Sequence, residues 1–182
     1  KTGAPPPQVL RIGYQKSAVN LVILKQLGAL EQRFPNTKVS WVEFPAGPQL
    51  LEALAVGSLE FGLTGDTPPV FAQAAGKEMY YVGAEPAKPD SSAVLVLKDA
   101  PITSLSHLKG KKVALQKGSS AHYLLVRAVE KAGIDEDDAV RRHAHAFLEV
   151  DGRAALFVHD ADLQRAPRQS QRIFDAAEQI AG

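Results

Sequence analysis

A turn of small polar residues at positions 116–120 has the composition of an anion-binding site. Ser119 and Ser120 carry hydroxyl groups, and Gly118 allows an oxyanion to come close to the backbone. The preceding residues, 112–115, are typical of a short strand, and the apolar residues from 121 to 132 recur at the spacing of one helix face. Because the first amide groups of a helix lack partners within it and carry partial positive charge, this turn predicts a site for a small anion.

A second turn of this kind lies at 65–69, where Pro68 and Pro69 indicate the start of another helix. Either Thr67 or Asp66 can cap that helix, which is a structural role, and the Thr67 hydroxyl and the first amide groups are also suited to an oxyanion. Asp66 carries negative charge, so we expect it to cap the helix or to meet a cationic group rather than to touch an anion. Two helix starts of this type would be able to hold one small anion between them.

Other polar residues are weaker candidates for a site. Gln15 follows the first predicted strand and is a neutral donor suited to a polar pocket, whereas Lys16 is expected to be solvated. The pair His143 and His145 would share one face of a strand, but no third ligand stands with them at metal-binding spacing. The chain has no cysteine, and its Gly-Ser-Ser is not a nucleophile elbow. We therefore predict no catalytic residue, no metal and no cofactor, and we expect His122 to lie at the surface.

The elements that position these turns alternate between strands and helices. Strands are predicted at 9–14, 39–44, 59–64, 80–83, 93–97 and 112–115. Helices are predicted at 18–33, 49–56, from the 65–69 turn to about residue 75, and at 121–132, with a brief helical turn at 104–108. This alternation predicts an α/β fold with a mainly parallel sheet, in which ligands bind beyond the carboxyl ends of the strands.

Composition limits the classes of function. The chain has 182 residues, of which 45% are hydrophobic, enough for the core of one domain or of two small ones. Its formal net charge of +1 gives no bulk attraction to nucleic acid or to an anionic membrane. No apolar run approaches the roughly 20 residues of a membrane helix, and residues 1–8 are expected to form a flexible leader without a signal peptide.

Four segments resemble the aliphatic-sulfonate-binding proteins of bacterial ABC importers, and they occur in the same order. They are LRIGYQK at 10–16, WVEFPAGPQ at 41–49, TGDTPPVFAQAAG at 64–76 and KGKKVALQKGSSAH at 109–122. The resemblance covers about residues 8–134. Beyond it the family's Trp-Asp-Pro-Tyr stretch is absent, and the alternatives for residues 135–182 are divergence, rearrangement, a frame shift or truncation.

The resemblance implies a periplasmic solute-binding protein rather than an enzyme, in the type II periplasmic-binding-protein fold. Two α/β lobes with mainly parallel sheets, predicted at 9–98 and 99–182, would enclose a cleft and close on the ligand. The implied partners are an alkanesulfonate and the membrane permease of an importer for sulfur uptake; nucleic acid is not among them, and we expect a monomer. The residues implied to line the cleft are Gln15, Gly65, Asp66, Thr67, Ser119, Ser120 and His122, to which the turn itself adds Gly118.

The same resemblance leaves other ligands and another class of activity open. Relatives that bind taurine, nitrate or another small anion share the fold, and so do enzymes that act on pyrimidine precursors. An enzyme of that kind would need nucleophilic or metal-binding residues in the cleft, for which only the histidines at 122, 143 and 145 are candidates.

Overall fold

A computed structural model describes residues 5–88, 92–97, 100–135, 141–143, 154–159 and 170–175. The chain divides into two compact units, Lys1–Tyr80 (unit 1) and Tyr81–Gly182 (unit 2). This division lies earlier in the chain than the predicted boundary at residue 98. The reason is that the strand Ser92–Leu97 pairs with two strands that come later in the chain, and it therefore belongs to the sheet of unit 2.

Unit 1 is built on a three-stranded parallel sheet. Its strands are β1 (Val9–Tyr14), β2 (Lys38–Glu43) and β3 (Phe61–Gly62), in the order β2-β1-β3. Its helices are α1 (Val19–Leu27), α2 (Ala29–Arg33), α3 (Gly47–Ala55) and α4 (Thr67–Ala74). The single helix predicted at 18–33 is divided because Gly28 adopts a left-handed conformation, φ 57°, that ends α1.

The core of unit 1 lies on both faces of this sheet. Ile12 and Tyr14 of β1 pack with Leu21 of α1, and all three are buried. A second cluster is formed by Leu50 and Leu59. The end of the predicted leader is attached to this unit, because the Thr37 hydroxyl donates to the carbonyl of Pro7 at 2.7 Å and the Lys38 amide to that of Gln8 at 2.8 Å.

Unit 2 contains a five-stranded mixed sheet. Its strands are β4 (Ser92–Leu97), β5 (Lys112–Leu115), β6 (Arg141–His143), β7 (Ala154–His159) and β8 (Ser170–Asp175), in the order β6-β5-β7-β4-β8. Helix α5 (Ser120–Lys131) and a 3₁₀ turn (Leu105–Leu108) cover buried residues of β4 and β5. β5 is parallel to β6 and β7, whereas β4 is antiparallel to β7 and β8. The predicted mainly parallel α/β fold is confirmed, with β4 as the antiparallel strand.

The strand predicted at 80–83 is wrong. These residues have no strand pairing, and Tyr80 and Val82 are 95% and 77% exposed. Aromatic and β-branched residues favour a strand only where a neighbouring strand supplies a ladder and a packed face. The segment instead connects the two units. None of the helices in the described ranges has both the length and the apolar character needed to cross a membrane.

One ion pair fastens the short strand β3 to β1. The Arg11 side chain hydrogen-bonds both carboxylate oxygens of Glu60, the residue before β3, and its NH2 group also donates to the Gly57 carbonyl at 2.9 Å. The Arg11 amide donates to Glu60 Oε2 at 2.6 Å. These hydrogen bonds, first those from the Arg11 side chain, lower the pKa of Glu60 to about 2 from the usual 4.5.

We expect unit 1 to lose the stability contributed by the Arg11–Glu60 pair as the pH falls. A carboxyl whose pKa is lower in the folded chain stabilises it above the unfolded pKa, and that contribution is lost as the pH falls from 4.5 to about 2. Glu60→Gln should therefore unfold more easily than the unchanged chain at about pH 6 and approach it at about pH 3. Denaturant melts followed by the fluorescence of Trp41, the single tryptophan, would measure the difference.

Glu52→Gln, on the exposed face of α3, is the matched control and should leave both melts unchanged. Because the pair is partly exposed and solvent screens its charges, its contribution to stability is small. A Glu60→Gln variant that stayed equally far below the unchanged chain at both pH values would contradict the assignment.

Candidate functional site

The carboxyl edge of the unit 1 sheet gathers four of the predicted site residues. Since β1, β2 and β3 are parallel, their carboxyl ends meet at one edge, and α1, α3 and α4 begin there. Gln15 follows β1, is partly buried, and its carbonyl accepts the Ala18 amide at 2.9 Å. Gly65, Asp66 and Thr67 follow β3 and form the start of α4.

The start of α4 differs from the predicted anion site in one respect. Asp66 occupies the N-cap position but makes no side-chain capping bond, because capping side chains accept from the second or third helical amide, and Pro68 and Pro69 stand there. The hydroxyl of Thr67, which is buried, donates instead to Asp66 Oδ1 at 3.1 Å. The prediction that this helix start offers several amide donors is therefore wrong, since two of its first three residues have no N–H.

The starts of α3 and α4 meet at a glycine. A Cβ atom placed on Gly47, the first residue of α3, would lie 2.1 Å from Thr64 Oγ1 and 2.6 Å from Pro68 Cγ. Thr64 is the residue before Gly65, and Gln49 is the third residue of α3. The helix predicted at 49–56 therefore begins two residues earlier, at Gly47.

Two polar atoms that the sequence did not single out are buried at this edge. Thr64 Oγ1 and Gln49 Oε1 are buried and have no hydrogen-bond partner among the described residues. Buried polar atoms in proteins are nearly always bonded, to protein, water or ligand. The Thr64 hydroxyl can donate to an anion, whereas Gln49 Oε1 accepts and would need a donor from water or from the ligand. The only signal for Thr64 in the sequence is its position directly after a strand.

Lys16 also lies at this edge but is engaged by the protein. Its ammonium is 3.4 Å from Glu43 Oε1, and Glu43 Oε2 accepts the Tyr14 hydroxyl at 3.4 Å. Lys25 donates to that same hydroxyl oxygen at 2.8 Å. Two cations and one carboxylate therefore surround the end of β1, and the Asp66 carboxylate lies at the same edge, so that the charges there balance.

In unit 2 the predicted turn forms a compact helix start. Ser119 is the N-cap of α5: its Oγ accepts the His122 amide at 3.3 Å and donates to the Gln116 carbonyl at 2.7 Å. Gly118 adopts φ 77°, the left-handed conformation that favours glycine. Its amide donates to His122 Nδ1 at 3.2 Å.

The residues predicted to bind a ligand at this turn, Gly118, Ser119, Ser120 and His122, have different roles in this geometry. The Ser119 hydroxyl hydrogen is given to Gln116, so the side chain of Ser119 acts as a cap. Ser120 and Ala121 are the first two residues of α5, whose amides precede the first bond of the helix ladder and can donate to an anion. The surface position predicted for His122 is wrong, because its side chain turns back to Gly118 and the residue is only 8% exposed.

The histidine pair considered for a metal is only partly described. His143 is the last residue of β6, and His145 lies outside the described residues. Within the described ranges, histidine and carboxylate side chains form no group of three or more that could hold a metal ion.

Comparison with known proteins identifies the family. A family model described as NMT1/THI5 like matches residues 38–147, more than half of the chain. The chain belongs to the NMT1/THI5-like family. An aliphatic sulfonates-binding protein of Escherichia coli K12 is 56% identical to this family member over 150 residues, which are 82% of this chain and 46% of the relative.

Two solved structures resemble this NMT1/THI5-like chain closely. One is the alkanesulfonate-binding protein SsuA of Xanthomonas axonopodis pv. citri bound to MOPS, with 41% identity and a TM-score of 0.84. The other is the periplasmic aliphatic sulphonate binding protein SsuA of Escherichia coli, with 44% identity and a TM-score of 0.76. Each match covers 96% of this chain, and 63% and 62% of the respective relative.

These matches confirm the resemblance to the aliphatic-sulfonate-binding proteins and the periplasmic-binding-protein fold. These relatives are all named as binding proteins. The chain spans about half the length of the curated relative that it matches.

Proposed function

We propose that this chain is a solute-binding protein that captures an alkanesulfonate and presents it to the permease of an ABC importer for sulfur uptake. The observation that carries the proposal is the 41% identity, over 96% of the chain, to an alkanesulfonate-binding protein bound to MOPS. In this role the protein is not an enzyme, and it acts in the periplasm, the compartment of the Escherichia coli relative.

The chemistry of the α5 start agrees with this ligand. A sulfonate remains anionic at any physiological pH, so the protein must supply hydrogen-bond donors rather than a base. The amides of Ser120 and Ala121 lie at the positive end of a helix of 12 residues. MOPS is itself a sulfonate, so the ligand of the Xanthomonas relative carries the same head group.

The proposed ligand-binding residues are those predicted from the sequence, and two more are added. They are Gln15, Gly65, Asp66, Thr67, Gly118, Ser119, Ser120 and His122, joined by Thr64 and Gln49. Within this set the hydroxyl groups of Thr64 and Ser120 can donate to an oxyanion. Ser119 and His122 support the turn, and Asp66 takes the hydrogen of the Thr67 hydroxyl.

A panel of anions tests the proposal. A ligand that binds only the folded chain raises its melting temperature, so ethanesulfonate, octanesulfonate, taurine, nitrate and sulfate would be compared in a buffer free of sulfonates. We expect a selective rise with one or both alkanesulfonates. If only nitrate, sulfate or taurine raised the melting temperature, that anion and not an alkanesulfonate would be the ligand. If the melt were cooperative and no anion raised the melting temperature, the proposal would be refuted.

Two variants ask whether the named hydroxyl groups bind the ligand. Ser120→Ala and Thr64→Val each remove one donor, and a hydrogen bond to a charged group contributes about 1.5–3 kcal/mol, so each should weaken binding by about tenfold or more. Ser58→Ala, at the opposite end of β3, is the control and should bind as the unchanged chain does. Titration calorimetry would measure the affinities.

A further inference from the structure

The imidazole of His122 makes a contact that the proposed function does not explain. Its Nδ1 atom accepts the amide hydrogen of Gly118, with an N–N distance of 3.2 Å. His122 is the third residue of α5, and its own amide donates to Ser119 Oγ at 3.3 Å. Since the residue is 8% exposed, this contact is largely shielded from water.

These two hydrogen bonds resemble a capping box in which a histidine replaces the usual Glu or Gln. In a capping box the N-cap serine accepts the amide of the third helical residue, and a Glu or Gln at that third position accepts an amide of the N-cap in return. Here the serine is present as Ser119, but an imidazole stands at the third position and reaches back one residue further, to Gly118.

The residue type at this third position determines the charge in the first turn of α5. A glutamate at the third position would bring a full negative charge into the first turn of α5, where the helix end otherwise attracts an anion. An imidazole nitrogen that accepts a hydrogen bond carries no proton, so while this contact exists the ring is neutral. The turn is therefore closed without a negative charge.

We infer that His122 is a positioning residue that holds the Gly118 amide with a neutral acceptor and so keeps the start of α5 both fixed and attractive to an anion. Gly118 has the left-handed φ of 77°, and the bond to Nδ1 fixes the direction of its amide. The inference rests on the proposed function, because the neutrality of the acceptor matters only if an anion binds at this turn.

Three variants at this position separate shape from charge. His122→Gln supplies a neutral acceptor, His122→Glu supplies an acceptor of the same shape with a negative charge, and His122→Leu supplies none. The two readouts are the hydrogen exchange of the Gly118 amide without ligand and the affinity for octanesulfonate. The Ile134 amide, which donates to the Val129 carbonyl at 2.9 Å, reports whether the far end of α5 remains folded.

We expect the glutamine variant to protect Gly118 and to retain affinity for octanesulfonate. The glutamate variant should protect Gly118 but bind at least about tenfold more weakly, and added salt should reduce the loss because it screens the charge. The leucine variant should lose the Gly118 protection and the affinity while Ile134 stays protected.

Each contrary result has a distinct meaning. Equal affinities of the glutamine and glutamate variants would overturn the argument from charge, and Gly118 protection in the leucine variant would overturn the positioning role. If the leucine variant does not fold, the glutamine and glutamate pair still decides. If the unchanged chain binds none of the panel of anions, the proposed function fails and the charge argument fails with it, whereas the exchange data still show whether His122 holds Gly118.

Discussion

Gly47→Ala is expected to destabilise unit 1 by about 1–3 kcal/mol, in spite of the helix preference of alanine. The new methyl group would lie 2.1 Å from Thr64 Oγ1 and 2.6 Å from Pro68 Cγ, well inside van der Waals contact. A proline ring and a short hydroxyl side chain at the end of β3 cannot move aside as the end of a long side chain can. For a unit of this size, the melting temperature should fall by about 4–8 °C for each kcal/mol.

The measurement is a denaturant melt followed by Trp41, which lies in β2 and reports unit 1. Gly83→Ala is the control, since a Cβ atom there meets nothing within 4 Å, and it should change stability by no more than about 0.5 kcal/mol. Adding Thr64→Ala to Gly47→Ala removes the nearest clashing atom and should restore part of the loss, a coupling that a double-mutant cycle measures. A Gly47→Ala variant as stable as the control would contradict this packing.

Gly118→Val is expected to weaken alkanesulfonate binding by at least about tenfold, because the turn that precedes α5 would have to change its conformation. Gly118 has φ 77°, a region in which residues other than glycine are strained by about 1–2 kcal/mol and β-branched residues are the least tolerated. A relaxed turn would move the amides of Ser120 and Ala121 away from their present direction. The affinity for octanesulfonate, measured by calorimetry, is the readout.

Gly110→Val is a matched control within the same unit. Gly110 has φ 69°, and a Cβ atom there meets nothing within 4 Å, so the strain is similar but the site is a different turn, before β5. Both variants should lower the stability of unit 2 to a similar extent, as measured by circular dichroism, while only Gly118→Val should lose affinity. Equal affinities of the two variants would show that the turn at 116–120 does not bind the ligand.

The features that the sequence predicted best are local ones. The strand at 112–115, the turn and α5 were predicted within one residue of their bounds, because a capping serine, a glycine and a helical apolar pattern all act within a few positions. The two prolines also mark the start of α4, which lies inside the predicted turn at 65–69. The family resemblance then supplied the fold, which the comparisons confirm.

The features that the sequence did not predict depend on contacts between residues far apart in the chain, or on a further effect of a residue whose first effect was recognised. The antiparallel pairing of β4 was not predicted because its partners, β7 and β8, come about 60 residues or more later in the chain, where the family motifs give no guide. His122 is buried because its ring turns back onto Gly118, and residue type does not predict that direction. Pro68 and Pro69 mark the start of α4 in the sequence, and because proline has no N–H they also remove two of the amides that an anion would need there.

The exposed connection between the two units has a practical consequence. Tyr80 and Tyr81 are 95% and 62% exposed and lie in a segment without strand pairing, at the point where unit 1 ends and unit 2 begins. Exposed backbone outside helices and strands is where proteases cleave first, and chymotrypsin prefers tyrosine. A brief chymotryptic digestion should therefore cut the chain first at this connection, between two units that each have an apolar core of their own.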